Sequence, residues 1–360
     1  MIVTAISFVI VLSILVFVHE LGHFVVGRWA GARIEEFALG FPPRLWSIRR
    51  GETDYSINAI PLGGYCRFAG EDNPDVSGGL SQLPRLKRVL VLAAGVTMNA
   101  LLAIIVFAII FMTGYPTATA IDGVEVASVV QSAPAATAGL ASGDLILKVN
   151  GQLVKDTNSF STLIREIAGK EVALTVKRSG SAQEDTVRLT PRANPPKGEG
   201  PLGISIQQAA IVSKQAYSLP QALALGVERT WSAIKLTLYG PVLIVRGVIP
   251  AAGAVSGPLG IARIVGSATN AIPTNGFYPL LSLTALLSIS LAVVNILPLP
   301  GLDGGRILFV ILEWLRGGKR INPQREAIIH FSGLVFLIGL VLIITFFDIV
   351  SPAPPINWGP

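Results

Sequence analysis

Four long apolar stretches dominate the pattern of hydrophobic and polar positions along this chain. They cover residues 2–28, 89–113, 280–297 and 328–347, and each approaches or exceeds the roughly 20 residues that a helix needs to cross a bilayer. The pattern therefore predicts a polytopic α-helical membrane protein with about four transmembrane helices. We expect the first helix to be retained, because it lacks the basic n-region of a signal peptide.

The segment between the first two apolar stretches alternates apolar and polar positions instead. The runs RLWSI and DYSINAI predict two strands, with Arg50-Gly51-Glu52 as the turn. The whole segment, residues 32–68, is too polar to span a bilayer and unusually apolar for a free loop. We expect a membrane-associated β-hairpin here, with an ordinary soluble hairpin as the alternative.

Residues 117–195 change to short runs that are typical of strands. VEVASVVQ and VALTVKR are predicted strands, and residues 158–169 are predicted to form a helix with Asn158 as its N-cap. Residues 138–151 follow the pattern A-G-L-x-x-G-D-x-I-x-x-V-N-G, which resembles the core of PDZ domains. The resemblance implies an inserted, β-rich α+β domain. It leaves two functions open, since such a domain either binds a peptide C-terminus by strand addition or acts only as a steric filter.

The chain after this domain is predicted to return to the membrane. PRANPPKGEGPLG is typical of a linker, and residues 220–248 predict two amphipathic surface helices separated at Gly240-Pro241. A fifth span over the same residues is the competing interpretation. The predicted divisions are the first two spans with the hairpin (1–114), the PDZ domain (117–195), the linker and surface helices (196–279), the last two spans (280–350) and a tail (351–360).

Composition supports membrane insertion. Only 14% of the 360 residues are charged and 51% are hydrophobic, whereas soluble domains carry about 25% charged residues. The net charge of +6 is not gathered in a basic arm or an aromatic-basic stripe, so we expect no nucleic-acid partner and assign the excess to membrane-flanking positions. The single cysteine, Cys66, excludes an internal disulfide framework and a cysteine-based zinc site.

The distribution of positive charge predicts the orientation of the spans. Nine Lys and Arg residues lie from Arg28, at the end of the first span, to Arg88, just before the second, and five lie between the third and fourth spans, whereas the segments outside the first and fourth spans carry none. Short loops rich in Lys and Arg face the cytoplasm. We therefore expect the termini and the PDZ-like domain to be extracytoplasmic.

The first span contains the candidate chemistry, His19-Glu20-Leu21-Gly22-His23. Two of the three histidines of the chain stand four residues apart in it, so on a helix both imidazoles project from one face. This is the H-E-x-x-H pattern of zinc hydrolases. Zinc held by His19 and His23 lowers the pKa of its water to roughly 7 and polarises a carbonyl, while Glu20 accepts the proton as general base.

A catalytic zinc ion normally has a third protein ligand. Asp303 is favoured, because it follows the third span in a Pro- and Gly-rich context that could turn it toward the site. The charge distribution also places Asp303 and the histidine pair at the same depth, near the cytoplasmic end of their spans. His330, at the start of the fourth span, is the rival.

A site at this depth implies a substrate within the bilayer. A transmembrane helix hides its carbonyls in its own hydrogen bonds, so the substrate must unwind before attack. The hairpin edge around Ile57, Asn58 and Ile60 could hold the unwound segment by strand addition. Asn295 could bind its freed backbone, although spacing alone favours an interhelical hydrogen bond as the role of this asparagine.

Taken together, H-E-L-G-H in the first span, N-I-L-P-L-P-G-L-D-G-G after the third, the hairpin, the PDZ region and S-G-P-L-G-I at 256–261 resemble the bacterial site-2 protease family of intramembrane zinc metalloproteases. The resemblance implies zinc on His19, His23 and Asp303, Glu20 as catalytic base, and Asn295 in contact with substrate. It also implies a multi-pass protein of the bacterial inner membrane. The implied substrates are single-span membrane proteins such as anti-sigma factors already trimmed by a first protease, or leftover signal peptides.

Two other functions compete with the enzyme. One is a non-catalytic membrane scaffold that binds extracytoplasmic chain ends through its PDZ-like domain and holds zinc structurally. The other is a zinc transporter, which is disfavoured because one buried site without a polar path makes a poor conduit. Glu20 favours the enzyme, because a structural zinc site needs no glutamate beside its first histidine.

Overall fold

The computed structural model describes residues 2–358 except 71–75, 182, 197–198, 249–255, 353–355 and 357. The chain divides into two units, a helical unit (1–115 and 216–360) and a β-rich unit (116–215). The elements of the helical unit are α1 (Ile2–Ala30), β1 (Ile34–Arg50), β2 (Thr53–Phe68), α2 (Arg85–Gly114), α5 (Leu219–Val245), α6 (Pro258–Asn270), α7 (Ile272–Asn275), α8 (Tyr278–Ile296), α9 (Asp303–Leu315) and α10 (Pro323–Val350). Those of the β-rich unit are β3 (Tyr115–Val129), α3 (Pro134–Thr137), β4 (Leu145–Val149), β5 (Gln152–Leu153), α4 (Thr157–Glu166), β6 (Val172–Lys177), β7 (Glu184–Leu189) and β8 (Ile204–Gln215).

Within the described residues, four helices are long and apolar enough to cross a membrane: α1, α2, α8 and α10. This confirms the prediction of four spans. The first two pack with their backbones in close contact. A Cβ added to Gly22 of α1 would lie 2.5 Å from the carbonyl oxygen of Ala94 in α2, so only glycine permits this approach.

The hairpin is present, with its turn at Gly51, but its strands fold back on themselves. Residues 36–39 of β1 pair with two parts of β2, residues 64–67 on one side and residues 54–57 on the other. Residues 54–57 pair in turn with residues 46–49 of β1. Residues 54–57 are therefore internal to the sheet. Among the strands of the described chain, residues 64–68 pair with β1 alone, which leaves their other side as an edge.

A buried carboxylate holds this folded-back sheet together. Glu36 is 1% exposed, accepts a hydrogen bond from the Ser56 hydroxyl at 2.8 Å, and forms ion pairs with Arg44 and Arg67. Burial by itself would raise the pKa of Glu36, but the hydrogen bonds from Ser56 and Tyr65 and the charge of Arg44 lower it below its ordinary value. The carboxylate therefore stays ionised and links three parts of the sheet.

The β-rich unit contains one sheet with the strand order β7-β6-β4-β3-β8, and β5 pairs with β4. Its core includes Val126, Ile146, Leu174 and Leu202. The predicted helix is present as α4, but the N-cap is Asp156 rather than Asn158. The Asp156 carboxylate accepts a hydrogen bond from the Ser159 amide at 2.7 Å and forms a capping box.

The β-rich unit is longer than the sequence pattern predicts. The predicted domain ends at residue 195, whereas β8 continues the sheet to Gln215 beside β3. Ile204 and Ile206 of β8 pack against the core of the unit. The predicted division that left residues 204–215 outside the domain was therefore wrong, because the preceding Pro- and Gly-rich stretch masked the alternation that begins at Ile204.

The two surface helices predicted over 220–248 are a single helix, α5, with Pro241 inside it. This helix packs lengthwise against the second half of α2. The Tyr217 amide donates to the Phe111 carbonyl at 3.0 Å, and a Cβ added to Gly226 would lie 2.7 Å from the Ile104 carbonyl oxygen. The prediction of two helices was wrong because Gly240-Pro241 lies within the last two turns, where the helix accommodates it.

The third span ends where the proline and glycine residues predicted, at Ile296, and α9 begins at Asp303. A charged cluster anchors α9 at its other end. Glu313 accepts from Arg88 at 2.6 Å and Arg85 at 3.2 Å, and Arg320 lies 3.5 Å away. Burial by itself would raise the pKa of Glu313, but these guanidinium groups, Arg88 foremost, lower it below its ordinary value.

Candidate metal centre

Three donor atoms from two distant parts of the chain converge between α1, α2 and α9. His19 and His23 are both buried on α1, and Asp303 is the first residue of α9. The Asp303 Oδ2 atom lies 3.0 Å from His19 Nε2 and 3.3 Å from His23 Nε2, and the two nitrogens are 3.1 Å apart. Within the described residues, these three form the one cluster of His, Cys, Asp or Glu side chains with metal-ligand spacing.

The cluster fits zinc. A tetrahedral ion with bonds of about 2.0–2.1 Å separates its ligand atoms by roughly 3.3 Å, close to the three distances observed. The space beside the cluster is kept open by Gly95 of α2. A Cβ added there would lie 2.5 Å from His23 Nε2 and 2.6–2.7 Å from two atoms of the His19 ring. Two imidazole nitrogens and a carboxylate oxygen are donors that zinc prefers.

Hydrogen bonds behind the histidines orient both rings. The backbone carbonyl of Val91 lies 2.8 Å from His23 Nδ1 and accepts its proton, and the Asn99 side-chain amide lies 3.3 Å from His19 Nδ1. The Asn99 Oδ1 atom is buried without a hydrogen-bond partner. When His19 binds a metal through Nε2, its Nδ1 carries a proton, so turning the amide end for end gives that oxygen its donor. Both partners therefore direct Nε2 toward the metal position.

Glu20 lines a cavity together with the metal-binding candidates and also contacts the hairpin. Its Oε2 atom accepts a hydrogen bond from the Cys66 backbone amide at 3.0 Å. Tyr65, Cys66 and Phe68 line the same cavity as the two histidines and Asp303, with a volume of about 220 Å³. The strand edge at 64–68 thus borders the candidate zinc site. Burial raises the pKa of the Cys66 thiol, and this side chain is not among the three clustered donors.

The Asp303 carboxylate is suited to bind a cation. Burial by itself would raise its pKa, but the hydrogen bonds and charges of His19 and His23 hold it well below the ordinary value. The Asn295 amide nitrogen lies 3.4 Å from His19 Nε2, so this asparagine borders the metal position. His330, the rival ligand, is not part of the cluster and instead accepts a hydrogen bond from the Gly301 amide at 3.0 Å through Nδ1.

The structure does not bring the predicted substrate-binding residues of the hairpin into the cavity. Ile57 and Ile60 are about half exposed, and Ile57 has backbone partners on both sides. Asn58 is buried, and its amide nitrogen donates to the Gly40 carbonyl at 3.0 Å. A substrate contact of these three residues stays a prediction. The cavity lining contains the later part of β2, which the sequence pattern did not single out.

Sequence reasoning also missed two residues of α2 that shape the site. Asn99 bonds a neighbouring helix, as an asparagine within a span commonly does, and its partner there is His19 of the donor cluster. Gly95 was not noticed, because a glycine in an apolar span carries no chemistry of its own. The spacing of Gly95 and Asn99, one turn apart on the helix that must pack against H-E-x-x-H, was the available signal.

Comparisons with known proteins agree with this chemistry. The model of Peptidase family M50 matches residues 7–340. A putative zinc metalloprotease of Nostoc sp. is 34% identical over 97% of this chain and 96% of the relative. A putative zinc metalloprotease of Clostridium perfringens is 35% identical over 94% of this chain and 96% of the relative. The regulator of sigma-W protease RasP of Bacillus subtilis is 28% identical over 96% of this chain and 98% of the relative.

Solved structures match part of the chain. The crystal structure of the PDZ domain of an SdrC-like protein from Listeria monocytogenes is 30% identical, covers 24% of this chain and 90% of that chain, and has a TM-score of 0.22. The β-rich unit is PDZ-like by its own sequence core and sheet, and the four long apolar helices make the chain a multi-pass membrane protein. With the family match over residues 7–340 and the clustered H-E-x-x-H and aspartate side chains, the chain belongs to Peptidase family M50 and is an intramembrane zinc metalloprotease of the site-2 type.

Proposed function

We propose that this enzyme hydrolyses peptide bonds within the transmembrane segments of single-span membrane proteins. The observation that carries the proposal is the position of the donor cluster, since both histidines are buried in a helix that is long and apolar enough to span. Anti-sigma factors already cut by a first protease, and remnant signal peptides, are the substrate classes we favour. The name of the Bacillus subtilis relative, a regulator of sigma-W, supports the first class for that protein.

We assign the roles at the site as follows. His19, His23 and Asp303 hold zinc, and Glu20 is the general base, which takes a proton from water and returns it to the leaving amide nitrogen. Zinc, when bound, supplies Lewis-acid polarisation and lowers the pKa of water. Asn295 donates a hydrogen bond to the substrate backbone, since its amide nitrogen already borders the metal-facing atom of His19.

We propose the strand edge at 64–68 as the place where the unwound substrate segment pairs. This edge borders the cavity, and the Cys66 amide points toward Glu20. A segment added there runs beside the catalytic base, whereas one added near Ile57 meets a strand that is already paired on both sides. The proposal therefore moves the pairing site along β2 from the position that the sequence predicted.

We propose that the termini and the PDZ-like unit are extracytoplasmic and that the zinc site lies near the cytoplasmic side of the inner membrane. The charge distribution supports this orientation. Arg85, Arg88 and Arg320 cluster on Glu313 at one end of the helical unit, as expected for the cytoplasmic end of a bundle. Asp303 begins α9 after a six-residue connection from the C-terminal end of α8, the end that this orientation places at the cytoplasmic side.

We propose that the PDZ-like unit receives an extended chain end beside β8. This strand is the last of its sheet, and a cavity beside it is lined by Phe160 and Ile164 of α4 and by Leu202, Ile204 and Ile206. An apolar groove between a helix and a strand edge suits strand addition with an apolar side-chain anchor. A steric filter that admits only short extracytoplasmic segments is the competing function of this unit.

The test is cleavage of a model single-span substrate in liposomes, with zinc quantified in the same samples. Wild type and the control Glu52→Gln, in the exposed hairpin turn, should cut within the span. Glu20→Gln should keep its zinc and lose cleavage by about 10²-fold or more. If wild type and Glu20→Gln both hold zinc and neither cuts any of several substrates, the protease proposal fails and the scaffold function gains support.

A further inference from the structure

The six-residue connection from α8 to Asp303 is docked on the fourth span. Gly301, with φ +94°, faces α10 so closely that an added Cβ would lie 3.1 Å from the Leu334 backbone nitrogen. A Cβ added to Gly333 of α10 would lie 2.2 Å from the Pro300 carbonyl oxygen. Two glycines therefore allow the connection and α10 to meet backbone to backbone. This contact lies immediately before the residue that supplies the third donor atom.

His330 provides the polar part of this contact. Its Nδ1 atom accepts the Gly301 amide proton at 3.0 Å, and its ring lies 5.2 Å, centroid to centroid, from that of Phe309 in α9. The imidazole thus contacts the chain on both sides of Asp303, two residues before it and six after it. Since Nδ1 is the acceptor, the neutral ring carries its proton on Nε2, where Glu326 Oε1 lies 4.0 Å away.

The other described backbone amides of the connection bond locally. Leu297 donates to Val294, Leu299 to Leu297, and Leu302 to Leu299. These bonds shape the connection but do not fix it to another helix. Among them, the Gly301–His330 bond is the one that ties the backbone leading to Asp303 to α10.

We propose that His330 is a positioning residue that fixes Asp303 at the metal position through the Gly301 amide. The inference rests on the proposed assignment of Asp303 as the third zinc ligand. In this inference His330 holds the backbone that carries the ligand and does not bind the metal itself. Partners of this kind set the angle and the rigidity of a ligand, and their loss typically weakens metal binding about 10- to 100-fold.

The experiment measures zinc affinity of the purified full chain in detergent by competition with a chelator. His330→Ala and His330→Gln should bind zinc about tenfold more weakly than wild type. His330→Asn should stay within about twofold, because its Oδ1 atom occupies the place of Nδ1 and accepts the Gly301 proton. Ser332→Ala is the matched control, since its hydroxyl donates to the Ile328 carbonyl of the same helix.

Two further measurements separate positioning from a general loss of structure. The unfolding temperature of the zinc-free protein should be the same for His330→Gln and His330→Asn within error, since both keep a polar side chain of similar size. At saturating zinc, the kcat of His330→Ala should recover toward wild type with KM unchanged. A defect that persists in KM would indicate a damaged fold and would overturn the inference.

The outcomes distinguish this inference from the ligand assignment beneath it. If Asp303→Ala loses zinc and His330→Ala binds as wild type does, Asp303 stands as ligand and the positioning role of His330 is refuted. If His330→Asn is as weak as His330→Ala, the side chain only fills space and the inference is again refuted. If Asp303→Ala keeps wild-type affinity, the assignment of the third ligand itself is wrong.

Discussion

Replacing Gly95 by alanine should remove zinc from the enzyme while leaving the fold intact. The added Cβ would lie 2.5 Å from His23 Nε2, 2.6 Å from His19 Cε1 and 2.7 Å from His19 Nε2. Ordinary contacts begin at about 3.4 Å, so each ring must retreat by about 0.7–0.9 Å. Neither ring is free to do so, because the Val91 carbonyl and the Asn99 amide hold the opposite nitrogens.

The size of the effect follows from the tolerance of a metal site. Zinc–ligand distances hold to within about 0.2 Å, and the required displacement exceeds this severalfold for both histidines at once. We therefore expect zinc affinity to fall by about 10²-fold or more. Folding should change much less. Alanine gains up to about 1 kcal/mol over glycine in a helix, which offsets part of an overpacking cost of about 1–3 kcal/mol.

The assay is chelator competition on purified protein, with thermal unfolding of the zinc-free form as the second measurement. Gly339→Ala is the matched control, because Gly339 lies in a spanning helix with nothing within 4 Å of an added Cβ. This control should keep wild-type zinc affinity. Wild-type zinc affinity in Gly95→Ala would refute the reasoning, because the three donor atoms could not then converge as described.

Three further predictions concern the surroundings of the site. Asn99→Leu should weaken zinc binding about tenfold in the same chelator assay, because His19 Nδ1 loses its partner; unchanged affinity would contradict the hydrogen bond. Cys66→Pro should slow cleavage in liposomes without removing zinc, because it deletes the strand-edge amide that donates to Glu20, whereas Cys66→Ala should cut normally; equal rates would argue against a role of the edge at 64–68 in cleavage. Glu313→Gln should lower the unfolding temperature at pH 7. The pKa of Glu313 is lowered in the folded state, so the stability that its charge contributes is present above the ordinary value of 4.5 and is lost as the pH falls through the lowered pKa. The difference in unfolding temperature between the variant and wild type should therefore shrink below about pH 4. A difference that stays constant with pH would contradict the ion pairs.

The parts of the fold that depend on neighbours in the chain were predictable. Span length and apolarity determined the four membrane helices, and the proline and glycine residues after Ile296 determined where the third one ends. The spacing within His19-Glu20-Leu21-Gly22-His23 placed two imidazoles on one helix face. Local rules were less reliable at boundaries. They chose Asn158 instead of Asp156 as the cap of α4, and they divided α5 at a proline that the helix tolerates.

The sequence by itself thus determined that this protein spans a membrane and carries zinc-hydrolase chemistry. Only the tertiary structure decided what surrounds that chemistry. His19 and Asp303 are separated by 284 residues, and although sequence context favoured Asp303 over His330, only the packing of α9 against α1 and α2 brings its carboxylate to the histidines. The folded-back hairpin is another such feature, because its alternating pattern fits a simple two-stranded hairpin equally well. Gly95 is a third, because what matters at this position is the absence of a side chain. These features are set by which backbones approach each other, and that is decided by packing over the whole helical unit.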